Sequence, residues 1–245
     1  MRYANPETGI RIIEKGLIDY KEAWDFQESL FNSLTEIKMR NRDKDTPDPV
    51  PNYLIICEHP PVYTLGKSGS GDHLLIDEQG IEKIGASFYK INRGGDITHH
   101  GPGQLVVYPI FDLENFFTDI HQYLRYLEEA VIQTLGKLGI QADRYPGYTG
   151  VWIEPQTSSA RKICAMGVRC GRWVTMHGLA LNVNNRLDFF NHIIPCGIQE
   201  HSVTSIEKEL GDGSPSLKQV SEILIREIAR QFEAEIASCQ DSLSE

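Results

Sequence analysis

The stretch KICAMGVRCGRWVTMHGLALNV, residues 162–183, predicts a pair of strands joined by a tight turn. Residues 162–169, 173–176 and 179–183 are largely apolar segments of strand length, and Gly171-Arg172 between the first two is typical of a hairpin turn. Strands that are joined by so short a turn run antiparallel. We therefore expect antiparallel pairing to dominate the sheet to which this hairpin belongs.

The remaining elements predict one domain over residues 1–245, of the α/β (α+β) class, with a mixed, largely antiparallel sheet flanked by helices. Apolar spacing of 3.6 residues predicts three helices, the first capped by Asp19, the second by Thr118 and the third opened by Pro215. The predicted helices cover 19–39, 118–139 and 215–236, the further strands 10–18, 53–57, 87–92, 105–110, 140–144 and 151–154, and the loops 40–52, 58–72 and 93–104.

Composition excludes several classes of function. The chain has 34 acidic and 24 basic residues, a formal net charge of −10, which argues against bulk binding of nucleic acid or of an anionic membrane. Its longest apolar run, Leu105 to Phe111, is far shorter than the roughly 18 residues of a membrane span. The N-terminus lacks the apolar core of a signal peptide, and the five cysteines show no CxxC spacing. We therefore expect a cytoplasmic protein without a disulfide framework.

Three short patterns resemble nucleotide or metal sites but are incomplete. Gly66-Lys67-Ser68 resembles the end of a P-loop, yet Pro61 stands where that motif needs its first glycine. The glycine pairs at 69–71 and 101–103 lack the third glycine of a dinucleotide-binding fingerprint. His99-His100 has no third ligand at a recognised spacing. The sequence thus predicts neither a cofactor nor a metal.

Four segments are candidates for chemistry, and each also has a plain packing interpretation. The segment RGGDITHHGPGQ, residues 93–104, holds four glycines, which allow a ligand to approach the backbone, but it could equally be a tight surface loop. Lys162 shares a strand face with Cys164 and could lose its proton if desolvated. The small residues in HGLALN, 177–182, would leave space on a strand face. Cys196, between proline and glycine, could present its sulfur to solvent or pack as a small hydrophobe.

Seven segments, taken in chain order, resemble the octanoyltransferase family (lipoyl(octanoyl) transferases) of lipoic acid biosynthesis. The resemblance covers roughly residues 50 to 206, and the order of the segments makes it specific although each alone is weak. The segments are EHPPVYTLG at 58–66, RGGDITHHGPGQ at 93–104, YP at 108–109, PG at 146–147, KICAMG at 162–167, HGLALN at 177–182 and PCG at 195–197.

The resemblance implies a fold shared with lipoate and biotin protein ligases and an acyltransferase that works without a cofactor. The reaction would move an octanoyl group from octanoyl-acyl carrier protein to a lysine of a lipoyl domain. The expected acceptors are the lipoyl domains of 2-oxoacid dehydrogenases and the H protein of glycine cleavage, and we expect a monomer. Because such partners are usually acidic, docking would require a local basic patch, for which Arg161, Arg169 and Arg172 are candidates or else ordinary solvated surface.

The resemblance also implies roles for individual residues. The cysteine matching Cys196 would carry the acyl group as a thioester, and Lys162 would lower the pKa of that thiol. The sequence departs from the family at Cys164, where a small residue such as alanine is expected, at His99, where an aromatic is common, and in a longer 40–52 loop. Residues expected to line the acyl site are Arg93, Gly94, Gly95, Asp96, Ile97, Thr98, His99, His100, Ala165, Met166, Gly167, Gly178, Leu179 and Ala180.

Two rival functions remain to be distinguished. An ATP-dependent lipoate or biotin ligase on the same fold would activate a free acid as an adenylate and would need no cysteine. A binding module for acyl groups or lipoyl domains would need neither Cys196 nor Lys162. Cys164, close to Lys162, is an alternative thiol, and the donors that would hold the oxyanion could lie near Gly197 or in residues 93–95.

Overall fold

The computed structural model describes residues 9–194 and 202–237. Within these ranges the chain forms a nine-stranded sheet, a separate three-stranded sheet and five α-helices. No helix in the described ranges is long and apolar enough to cross a membrane.

The large sheet is mixed, as predicted. Its strand order is β12-β1-β2-β6-β10-β9-β8-β7, and β11 pairs with β9 beside this path. β1 runs parallel to β2 and β12, and β11 parallel to β9, whereas the other pairs are antiparallel. The strands are β1 Ile10–Leu17, β2 Asn52–Glu58, β6 Gln104–Ile110, β7 Asp143–Tyr145, β8 Tyr148–Ile153, β9 Arg161–Gly171, β10 Val174–Asn182, β11 Ser202–Val203 and β12 Ile236–Ala237.

The hairpin predicted over 162–183 is confirmed as β9 and β10. The turn residues are Arg172 and Trp173, one position later than the predicted Gly171-Arg172, and both have positive φ, at 51° and 63°. Two consecutive left-handed residues make the turn that matches the right-handed twist of an antiparallel pair. Every residue of β10 is buried, because helices cover both faces of the sheet at this central strand.

Three long helices form the two outer layers. α1, Tyr20–Asn41, packs on one face, and the side chain of Asp19 caps it by accepting from the Lys21 and Glu22 amides, as predicted. α3, Ile120–Lys137, and α5, Leu217–Gln231, pack together on the other face. Two short helices, α2 (Glu78–Lys83) and α4 (Ile206–Leu210), complete the set.

The prediction that 58–72 and 93–104 are loops is wrong in part, because each contains a strand. β3, Val62–Leu65, pairs in parallel with β4, Ser87–Lys90, and antiparallel with β5, Ile97–His100. These strands are four residues long, and β3 and β5 are each followed directly by a glycine, so their local signal is weak. Their stability comes instead from pairing with each other and from a shared apolar cluster.

Several boundaries also differ from the prediction; the last helix ends at Gln231, and Ile236, predicted to end it, lies in β12. Asp119, not Thr118, caps α3, and its side chain accepts from the amides of His121 and Gln122. The carboxylate of aspartate suits this position because it meets unpaired amides at the positive end of the helix. β7 begins three residues later than predicted, at Asp143, since Ile140 still bonds to the last turn of α3 through Leu135.

Candidate active site

A cavity of about 510 Å³ lies between the small sheet and the large one. Every predicted acyl-site residue lines it except His99, and so does Lys162. Further residues that were not predicted for the acyl site also line it, although Gln104, Tyr108, His177 and Asn182 stand in segments that carried the resemblance. They include Tyr20, Gln104, Tyr108, Leu124, Tyr148, His177, Asn182, Phe190 and Val203.

The floor of the cavity consists of four small residues on β9 and β10. Ala165 lies opposite Ala180, and Gly167 lies opposite Gly178. A Cβ added to Gly178 would stand 2.2 Å from the carbonyl oxygen of Val107, which no relaxed structure permits. The floor therefore carries no side chain larger than a methyl group, and the β6 backbone behind Gly178 leaves no room for one there.

The roof of the cavity, residues 93–98, is fastened to both sheets. The Gly94 amide donates to the Val168 carbonyl of β9 at 2.9 Å. The buried Arg93 guanidinium donates to the Thr64 carbonyl at 2.8 Å and to its hydroxyl at 3.0 Å. Both bonds come from Nη2, while Nη1 donates to the Gly94 carbonyl at 3.0 Å, so the guanidinium ties the roof to β3 and to itself.

Asp96 connects the roof to the chain that precedes Cys196. Its carboxylate pairs with Nδ1 of His73 at 2.6 Å and accepts the Ile97 amide at 2.7 Å. The His73 carbonyl in turn accepts the Ile194 amide at 2.8 Å. Asp96 therefore connects the roof, through His73, to the backbone at Ile194. Cys196 itself lies outside the described residues.

His99 is the one residue of the predicted acyl-site set that does not line the cavity. Its ring stacks on Phe189, with centroids 4.7 Å apart, and lies 5.2 Å from the Tyr63 ring. Neither ring nitrogen has a hydrogen-bond partner, and burial lowers the pKa of His99 to about 3. His99 is thus a neutral aromatic filler, which explains a histidine where the family commonly has an aromatic.

His100 and Tyr108 form one wall of the cavity, and His59 is hydrogen-bonded to Tyr108 behind it. Nδ1 of His59 donates to the Ile18 carbonyl at 2.8 Å, so its Nε2 accepts from the Tyr108 hydroxyl at 2.7 Å. Burial lowers the pKa of His59 to about 4 and that of His100 well below its usual value, while it raises the pKa of Tyr108. All three rings therefore carry no charge near neutral pH.

A chain of buried amides links this wall to Lys162. Gln104 accepts from Nδ1 of His100 at 2.8 Å and donates to the side chain of Asn182 at 2.9 Å. Asn182 donates to the Thr204 carbonyl at 2.9 Å, and the Thr204 amide donates to the Lys162 carbonyl at 3.0 Å. The chain that follows residues 195–201 is thereby fixed beside Lys162.

Comparison with family models decides the identity. Residues 19–229 match the model of the lipoyl protein ligase A/B catalytic domain. This chain belongs to that family. The relatives include the octanoyltransferase of Christiangramia forsetii, 55% identical over 95% of this chain and 98% of the relative. Another, the octanoyltransferase of Cytophaga hutchinsonii, is 54% identical over 96% of this chain and 97% of the relative. These relatives confirm the predicted octanoyltransferase, an acyltransferase of lipoate biosynthesis.

Solved structures of the family share the fold at low sequence identity. A lipoate-protein ligase A bound with ATP has a TM-score of 0.66 at 16% identity, over 97% of this chain and 89% of that one. A bipartite lipoate protein ligase and its E2 lipoyl domain, from Thermoplasma acidophilum, gives 0.64 at 19% identity, over 97% and 87%. The predicted fold class, a mixed and largely antiparallel sheet flanked by helices like that of lipoate ligases, is confirmed.

Among the described cysteines of this family member, none lines the cavity. Cys164 is buried in the apolar core on the other side of β9, and burial raises the pKa of its thiol. Cys57 is equally buried, and burial raises the pKa of Cys57 as well. The geometry therefore argues against Cys164 as the reactive thiol.

His177 is a cavity residue of this family member whose role the sequence did not reveal. It has a positive φ of 59°, and its amide donates to the buried Oε1 of Gln27 at 3.0 Å. Its Nε2 lies 3.0 Å from the side-chain oxygen of Asn92, and burial lowers the pKa of His177 to about 3. Gln27 stands 150 residues earlier in the chain, so no local pattern could predict this contact.

The three arginines predicted as a docking patch do not form one surface. Arg161 pairs with Glu154 and Glu209, each at 2.6 Å, and those carboxylates raise its pKa. Arg172 follows the other end of β9, the strand that begins at Arg161.

In the parts of the chain that the structure describes, no cluster of three or more metal-ligating side chains occurs.

Proposed function

We propose that this chain transfers an octanoyl group from octanoyl-acyl carrier protein to a lysine of lipoyl domains, through a thioester on Cys196. The observation that carries the proposal is the convergence of three features at one cavity. The floor carries only glycine and alanine, Lys162 lines the cavity, and Phe190 and Val203, on either side of residues 195–201, line it as well. A thiol between these two anchors would reach both the acyl group and Lys162.

The first half-reaction moves the acyl group between two sulfur atoms. The Cys196 thiolate, stabilised by the Lys162 ammonium, attacks the carbonyl carbon of the carrier thioester. The new C–S bond forms, the bond to the carrier sulfur breaks, and Lys162 gives a proton to the departing thiolate. No oxidant, reductant or nucleotide is consumed.

The second half-reaction moves the acyl group from sulfur to nitrogen. The amine of the acceptor lysine attacks the Cys196 thioester, the C–N bond forms, and the Cys196 thiolate leaves. Lys162, now neutral, accepts the proton that the acceptor nitrogen releases, which restores the ammonium–thiolate pair. An amide is more stable than a thioester, so the exchange runs downhill without ATP.

The cavity suits a straight, uncharged acyl chain. Its floor offers width, and its histidine and tyrosine wall is neutral. Each buried CH₂ contributes about 0.8 kcal/mol, so a cavity of matched depth selects among chain lengths. Because the Gly94 amide already donates to Val168, the oxyanion donor is better sought at Gly95 or near Gly197.

We propose acyl carrier protein as donor, and as acceptors the lipoyl domains of 2-oxoacid dehydrogenases and the H protein of glycine cleavage. The curated relatives share the activity that joins these partners, octanoyl transfer. We further propose a cytoplasmic monomer that needs no cofactor, in keeping with the incomplete P-loop at 66–68.

The proposal is tested by intact mass after mixing the protein with octanoyl-acyl carrier protein. We expect one octanoyl adduct that hydroxylamine releases, that Cys196→Ser abolishes and that a lipoyl domain removes. Cys164→Ser is the matched control and should keep the adduct. An adduct that survives Cys196→Ser but not Cys164→Ser would contradict the proposed nucleophile. Transfer that requires ATP and free octanoate would instead support the ligase.

A further inference from the structure

Lys162 and Trp152 face each other across two neighbouring strands. Trp152 of β8 is the register partner of Lys162 in β9, so both side chains leave the sheet on the same face. Nζ of Lys162 lies 4.7 Å from the centroid of the indole ring. At this distance the negative face of the ring attracts an ammonium group.

The indole ring is itself held in place. Trp152 is only 2% exposed. Tyr145 packs edge-on against it, with centroids 5.3 Å apart, and the Tyr148 ring lies at 5.9 Å. Tyr148 also lines the cavity. The rings of Tyr145, Tyr148 and Trp152 therefore form one cluster that extends from the cavity to the indole face beside Lys162.

The backbone of β8 beneath the lysine is anchored by a buried carboxylate. Glu128 of α3 is fully buried, and its Oε1 accepts the Gly150 amide at 2.9 Å. Its other oxygen pairs with Arg125 at 2.8 Å and Arg144 at 3.1 Å, which compensates the charge. Glu128 therefore fixes β8 relative to the helix layer.

The stem of Lys162 passes over this anchored backbone. Gly150 has a φ of 115°, and a Cβ built there would stand 3.6 Å from Cε of Lys162 and 2.5 Å from the Cys164 carbonyl oxygen. A side chain at this position would displace β9 or the lysine. The stem of Lys162 thus passes through the space that Gly150 leaves open, and its nitrogen lies over the ring of Trp152.

We propose that Trp152 is a positioning residue: the face of its ring holds the Lys162 ammonium at the cavity. The role rests on the proposed function, in which that ammonium stabilises the Cys196 thiolate. Trp152 does not line the cavity and acts only through the lysine.

The test weakens the ring face without changing its size. The chain has three tryptophans, so Trp24→Phe with Trp173→Phe leaves Trp152 as the only site for fluorinated tryptophan. Tryptophans with increasing numbers of fluorine atoms attract a cation progressively less. We measure the single-turnover rate of octanoyl transfer to Cys196 by intact mass, and separately the KM for octanoyl-acyl carrier protein.

We expect the acylation rate to fall in steps with fluorine number, by about fivefold overall, while KM stays constant, as the loss of about 1 kcal/mol of cation–π attraction implies. The matched control carries Trp24→Phe and Trp152→Phe, so that fluorinated tryptophan enters only at the exposed Trp173. Its acylation rate should not vary with fluorine number.

Three results would decide against the proposal. A rate that ignores fluorination at 152, in a protein that is acylated normally, would overturn the role of Trp152 and leave the proposed function intact. An equal slope in the Trp173 series would show a general effect of fluorine. Absence of acylation in the unmodified protein would overturn the proposed function, and this role with it.

Discussion

The floor and the roof of the cavity are built in different ways. The floor is part of a regular antiparallel hairpin, whose strands β9 and β10 pair residue by residue from Cys164 to Gly171. The roof is a glycine-rich segment whose shape depends on distant groups, among them Thr64 and His73. The comparison teaches that local sequence determines the surface under the acyl chain, whereas tertiary contacts determine what closes over it.

The largest expected effect breaks the floor. In Gly178→Ala, the new Cβ would overlap the Val107 carbonyl oxygen at 2.2 Å and Cδ of Pro109 at 2.7 Å, so the strands must separate. We expect a loss of about 3 kcal/mol in the free energy of unfolding, at the upper end of overpacking effects, together with loss of transfer. Urea denaturation measures it.

Gly136→Ala is the control for this substitution. Gly136 lies in helix α3, and a Cβ there meets nothing within 4 Å. It should stabilise the protein by about 0.5–1 kcal/mol, because alanine loses less backbone entropy in a helix. Equal destabilisation by both substitutions would contradict the close packing of the floor.

The next effect detaches the roof. Arg93→Lys keeps the positive charge but loses the guanidinium, whose Nη2 contacts both oxygens of Thr64 and whose Nη1 contacts the Gly94 carbonyl. We therefore expect a loss of about 2 kcal/mol in unfolding free energy and a slower transfer. Thr64→Val, which removes only the hydroxyl acceptor, should cost about half as much. Denaturation and transfer assays on both variants measure these losses. Identical losses in Arg93→Lys and Thr64→Val would show that the Thr64 hydroxyl alone accounts for the effect, and not the guanidinium's other contacts.

Acid should lower the free energy of unfolding through His99, the residue that follows the roof. Burial holds the folded-state pKa of His99 at about 3, against 6.5 ordinarily, so the unfolded chain binds the proton first as the pH falls. Stability is therefore complete above pH 6.5 and decreases between 6.5 and 3, by about 1.4 kcal/mol per pH unit.

His99→Phe removes this proton and should relieve part of the acid sensitivity. We compare the unfolding free energy of the variant with that of the parent. This difference should favour the variant by about 2 kcal/mol more at pH 5 than at pH 8, because at pH 8 the parent histidine is neutral in both the folded and the unfolded state. Urea denaturation at the two pH values gives the comparison. A difference that is the same at both pH values would contradict the lowered pKa of His99.

The same contrast explains what could be predicted from the sequence. The apolar runs and turn of residues 162–183 are local, and the hairpin followed from them. β5 could not be predicted, because four residues between glycines pair only with β3, more than thirty residues earlier. The contact of Lys162 with Trp152 also escaped prediction, since it depends on a register shift between Val151 and Trp152.

Site residues divide in a similar way. The small residues of the floor and Lys162 were predicted from short motifs, and the cavity contains them. Gln27 and Glu128 were not, because a single buried polar residue in a helix carries no local sign of its distant partner. His99 was assigned to the acyl site because the resemblance placed the whole segment 93–100 there, and no local pattern shows that its ring packs against two phenylalanines.

The smallest expected effect narrows the floor without breaking it. Ala180→Val adds two methyl groups beside Ala165, so the far part of an octanoyl chain should fit less well. Each CH₂ that is no longer buried costs about 0.8 kcal/mol, and the preference for octanoyl over hexanoyl substrates should fall about fourfold per CH₂. Competition between the two acyl carrier proteins, read by intact mass, measures the ratio. Cys164→Ala is the control, because its side chain lies in the core on the other side of β9, and it should leave the ratio unchanged. If the octanoyl-to-hexanoyl ratio fell equally in Ala180→Val and Cys164→Ala, the acyl chain would not lie on the floor.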